Sequence, residues 1–115
     1  AGAALSPQSP QIQIYHAPIP AEGGDLAACA TRAKALAEAL SRALAAESPA
    51  PSVAVHAIPL RLQTAAKMPC LLLELGALNQ AEGEALLVSE EQRAALADRL
   101  AKALAAAVAD VNAQR

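Results

Sequence analysis

The chain has no tryptophan and no phenylalanine, and Tyr15 is its only aromatic side chain apart from two histidines. That shortage excludes a stacking platform for bases or sugar rings, which needs several exposed ring faces. Cysteine is almost as scarce. Cys29 and Cys70 are too few for a disulfide framework, and as small apolar side chains both are expected to be buried. Positive charge is short as well: 9 Lys and Arg against 11 Asp and Glu leave a net charge of -2. Binding nucleic acid calls for a basic stripe along the phosphates, so no nucleic acid is expected as a partner. No apolar run approaches the roughly 20 residues that cross a bilayer, and membrane insertion is not expected. The first cation is Arg32, so no signal-peptide leader is visible. No internal repeat is present.

What the chain has in quantity is alanine and leucine. At 115 residues, 55% of them hydrophobic, it is long enough for one core. Residues 1–10, rich in Ala, Ser and Pro, form a flexible lead-in or linker, and residues 11–115 form the domain. Gln11-Ile12-Gln13-Ile14-Tyr15 alternates as a half-buried strand does, and Pro18 and Pro20 end it. Asp25 is a suitable N-cap. Leu26, Cys29, Ala33, Leu36, Leu40 and Leu44 then recur at helical spacing to about residue 46, with Glu38 and Arg42 paired outside. Residues 53–58 read as a second strand stopped by Pro59, and residues 60–67 as a short helix or turn.

Residues 70–75 form an apolar run that ends in Glu74-Leu75 and is followed by Gly76. Such a run reads as a buried strand, and ligand sites of open α/β sheets lie beyond the carboxyl ends of their strands. Glu74 is therefore the candidate functional carboxylate; its structural alternative is to cap a loop or meet an arginine such as Arg61. Further on, Asn79 suits the cap of a short turn carrying Leu86 and Leu87. Ser89-Glu90-Glu91-Gln92 fits a capping box. Leu96, Leu100, Leu104, Val108 and Val111 make the stripe of a closing helix, with Asp98 and Lys102 paired on its outer side. The expected fold is α/β: a small, mainly parallel sheet with two long Ala/Leu-rich helices packed on it, in the order β-α-β-β-α.

Pro69-Cys70-Leu71-Leu72-Leu73-Glu74-Leu75-Gly76-Ala77-Leu78 resembles a motif of the zinc-dependent N-acetylmuramoyl-L-alanine amidases of the amidase_3 type. That motif is Pro, four apolar residues, Glu, Thr or Leu, Gly, Phe and an apolar residue. Upstream, Pro59-Leu60-Arg61-Leu62 and Ala65-Ala66-Lys67-Met68-Pro69 are similar to the family's approach to it. The acidic turn, the Leu-Leu pair and the Ala-rich helix that follow resemble the family's ending. The likeness covers most of residues 11–111 and corresponds to the carboxyl-terminal half of the family's catalytic domain.

The resemblance implies a peptidoglycan hydrolase ancestry, in which a zinc ion held by two histidines and a glutamate activates a water that cleaves the muramoyl–alanine amide. Glu74 would be the catalytic carboxylate, serving as general base and then protonating the leaving amine. The chain departs from the family where the metal is held. It contains no Gly-His-Gly-Gly, Tyr15-His16-Ala17-Pro18 is a poor copy of the family's Ser-x-His-x-Asn, and Ala77 and Asn79-Gln80 replace a phenylalanine and a Ser-Asn pair. No zinc is therefore expected for this chain alone, nor activity alone. The expected partner is peptidoglycan, in the bacterial cell envelope or periplasm or outside the cell. A domain half the size of its relatives exposes sheet that they cover, which favours a homodimer.

His16 and His56, each at a strand end, are expected to be partly exposed hydrogen-bonding residues; with Glu22 or Glu74 they offer zinc-ligand types without a zinc-ligand spacing. Glu82, Glu84, Glu90 and Glu91 read as solvated charges around a helix start. Gly23-Gly24 reads as a turn rather than a phosphate loop.

Overall fold

Alternation in the first strand has the effect that a period of two predicts. In β1 (Ile12–His16) the residues Ile12, Ile14 and His16 are buried, while Gln13 and Tyr15 face the other way. The structure, a computed structural model, describes residues 11–48, 50–75 and 89–114. After β1 come α1 (Gly24–Ala45), β2 (Val53–Ala57), α2 (Arg61–Ala65), β3 (Leu72–Glu74) and α3 (Glu90–Ala113). The fold is α/β, with one three-stranded sheet in the order β2-β1-β3. The lead-in at residues 1–10, the turn expected around Asn79, Leu86 and Leu87, and the acidic residues Glu82 and Glu84 all lie outside the described residues.

Two features of the expected sheet need correction. It is mixed rather than mainly parallel: β1 and β2 run parallel from Ile12↔Val53 to His16↔Ala57, but β3 runs antiparallel to β1, with Tyr15↔Leu72 and Gln13↔Glu74. The order also gains a helix, β-α-β-α-β-α, because the short helix or turn expected over residues 60–67 is a helix at residues 61–65, which the order β-α-β-β-α left out. The cause lies in the β2–β3 connection. Gln63 is almost wholly buried and its side chain holds that connection at two points: Nε2 donates to the Met68 carbonyl and Oε1 accepts from the Cys70 N–H, each at 2.8 Å. A chain pinned beside the carboxyl end of β1 enters the next strand there, heading back. A parallel strand would need a crossover to the far end of the sheet.

The third strand is also shorter and more exposed than expected. Leu72 and Glu74 are exposed, and only the alternate Leu71, Leu73 and Leu75 pack toward the core. An edge position explains this, since β3 has a partner on one side only among the described residues. Cys70 precedes the strand, and both cysteines are half-buried free thiols rather than buried ones.

Helix α1 begins one residue before its expected cap. Gly23 and Gly24 both take positive φ, 73° and 85°, a region open to glycine at little cost. The chain turns into the helix there, and Asp25 falls inside the first turn, where its charge suits the amino-terminal dipole. α1 packs on β1 and β2, and α3 packs along α1. Ile12, Ile14, Ala37, Leu40, Leu44, Ala103 and Ala107 share one buried apolar cluster. Arg42 pairs with Asp110 of α3 at 2.9 Å, not with Glu38, so the cation ties two helices together instead of bracing one. Ser89 Oγ accepts the Gln92 N–H at 3.1 Å, the forward half of the capping box, and Lys102 meets Asp98 at 2.9 Å as expected.

The buried face of α3 is rotated from the expected stripe. Ala103 and Ala107 are buried, Leu104 and Val108 are 40% and 41% exposed, and Leu96, Leu100 and Val111 are half-buried. Small side chains let the two helices approach closely, and the larger ones are displaced to the flank.

Candidate functional site

Strand pairing determines what Glu74 can meet. Gln13 and Tyr15 of β1, His56 of β2, and Leu72 and Glu74 of β3 share the sheet face turned away from α1. Three of these side chains form a row across the three strands. His56, in its Nε2–H tautomer, donates to Gln13 Oε1 at 2.9 Å, and Gln13 Nε2 donates to Glu74 Oε1 at 3.4 Å. The Tyr15 ring stacks on His56, with centroids 5.3 Å apart and planes at 27°. A carboxamide thus orients a carboxylate from one side and an imidazole from the other. The arrangement can present an acceptor and an aromatic edge to a polar ligand lying on the face.

His16 is not part of this row. It occupies the inner face with Ile12 and Ile14, only 5% exposed, and its Nδ1 lies 3.1 Å from the Ala17 carbonyl, which accepts from the Nδ1–H tautomer. The expectation of a partly exposed residue holds for His56 and fails for His16. Glu22 lies exposed in the turn before α1. The resemblance implies a zinc site with two histidine ligands, and the residues present do not fit it. The chain's only two imidazoles belong to opposite faces of the sheet, and no three His, Cys, Asp or Glu side chains converge among the described residues.

The carboxyl ends of β1 and β2 hold a separate feature. A cavity of about 370 Å3 opens between the loops after the two strands, the first turns of α1, and α2. Arg61 lines it, at the opposite end of β1 from Glu74, so the two do not meet as the structural alternative for Glu74 supposed. Sequence reasoning missed Gln13 as the link between Glu74 and His56. Its only signal was a polar residue in phase with Tyr15 on an alternating strand, which gives the face but not the partner.

No family model, no curated protein and no solved structure matches this chain.

Proposed function

We propose that this chain is an amidase-like domain of the bacterial cell envelope, related through residues 69–78 to zinc-dependent N-acetylmuramoyl-L-alanine amidases, and that alone it binds or assembles rather than hydrolyses. The carrying observation is the placement of Glu74, exposed on an edge strand and tied through Gln13 to a single imidazole, with the second histidine on the far side of the sheet. In this reading Glu74 descends from a catalytic carboxylate and now serves as a fixed acceptor on a polar face. Peptidoglycan, rich in amide and hydroxyl donors, is the partner that such a face suits. The outer edges of β2 and β3 have no strand partner among the described residues, and a second copy is proposed to pair along one of them.

The purified chain, with and without added zinc, is incubated with peptidoglycan sacculi, and both the sedimented protein and the released stem peptides are measured. Co-sedimentation without release is expected, weakened by Glu74→Ala. One equivalent of bound zinc together with Glu74-dependent release overturns the non-catalytic reading, and failure to sediment overturns peptidoglycan as the partner. Sedimentation equilibrium at high concentration tests self-association, and a monomer there counts against the paired edge.

A further inference from the structure

We propose that the cavity at the carboxyl ends of β1 and β2 is a binding site for a small monocarboxylate with an apolar body. Its place is the one where open α/β sheets receive ligands, outside the carboxyl ends of parallel strands. A volume of about 370 Å3 falls at the lower end of the range of small-molecule pockets, which limits the ligand to a short chain or a single ring.

The walls are apolar and stiff. Pro18 and Pro20 come from the loop after β1, Pro59 from the loop after β2, and Leu26 from the first turn of α1. Proline fixes its own backbone and supplies no N–H, so these walls give little to a polar ligand and need little ordering when one binds. Leu26 is 38% exposed although apolar, and the body of a ligand in the cavity would cover it.

Charge selects the other end of the ligand. Among the described residues Arg61 is the only charged side chain lining the cavity, and its side chain makes no hydrogen bond or ion pair with any of them. An unpartnered guanidinium beside an apolar hollow favours a planar carboxylate, which it can grip at two points. Thr64, three residues on and therefore on the same side of α2, also lines the cavity and brings a hydroxyl beside that head group. One cation balances a monoanion, whereas a dianionic phosphate would ask for more. Gln63 takes no part in binding, because both ends of its amide are committed to the loop that follows; its role is to hold α2 in place.

The test uses the full chain and two probes of equal size, hexanoate and its uncharged amide, followed by two-dimensional NMR titration. Hexanoate is expected to give saturable shifts at Leu26, Ala30, Leu60 and Thr64, with the amide weaker by about tenfold, as expected for loss of a hydrogen bond to a charged group. Arg61→Gln, at an exposed and unpartnered position, keeps the fold by circular dichroism and brings hexanoate down to the level of the amide. Equal affinity for acid and amide, undiminished hexanoate binding by the variant, or no saturable shift at those residues each overturns the proposal.

Discussion

Helices α1 and α3 are built mainly from the same two residue types and have nearly the same length, 22 and 24 residues. Their burial differs. In α1 the buried residues are Ala27, Ala30, Ala33, Ala37, Ala39, Leu40 and Leu44, whereas in α3 they are only Ala103 and Ala107. The reason is their neighbours. The first helix lies against two strands on one side and the second helix on another, while α3 rests chiefly on α1. An Ala/Leu composition permits burial, and the number of layers around the helix decides how much occurs.

The contrast is sharpest for one substitution made twice. Leu40→Ala empties a site only 1% exposed and is expected to cost about 2–5 kcal/mol of unfolding free energy. Leu104→Ala, at a site 40% exposed, is expected to cost less than about 1 kcal/mol. Urea denaturation of the two variants checks both values, and similar losses would break the distinction between the helices. A smaller effect concerns how α3 begins. Ser89→Ala removes the acceptor for the Gln92 N–H and is expected to cost about 1 kcal/mol, read as a lower denaturant midpoint.

The smallest effect lies on the outer side of α3. The hydrogen bond to Asp98, and then its charge, raise the Lys102 ammonium above its ordinary 10.5. The pair therefore contributes its full stabilisation below that ordinary value and loses it as pH rises through the higher folded-state value. Comparing thermal midpoints of the parent chain and Asp98→Asn, the small gap at pH 8 is expected to close above pH 11. A gap that widens there would reverse the assignment.

The comparison also explains what could be read from the sequence. The alternation of Ile12 and Ile14 gave the first strand its buried face, and the leucines at 36, 40 and 44 placed α1 correctly, because a large side chain on a regular period has one good destination. In α3 the same rule misled. Leu104 and Val108 looked like the seam, but close helix packing favoured Ala103 and Ala107, one step round the helix. Alanine gives no periodic signal that separates a contact face from filler.

The run at residues 71–75 misled differently. Four leucines around one glutamate fit a buried central strand as well as an edge strand whose alternate leucines point inward, and length and composition do not separate the two. The direction of β3 was set elsewhere, by the Gln63 clamp, which a local pattern cannot reveal. For the candidate site, the residue types at Glu74 and His56 were legible, while the carboxamide between them depends on a register across three strands.

The stack of Tyr15 on His56 has an optical consequence. With no tryptophan and no second tyrosine, all near-ultraviolet circular dichroism and tyrosine emission come from one ring, fixed on the outer face of the sheet. A partner that settles on that face must change the signal, whereas a ligand in the cavity at the strand ends approaches from the opposite side of β1 and leaves the ring in place. The protein carries its own label, and the label reports on only one of its two candidate surfaces.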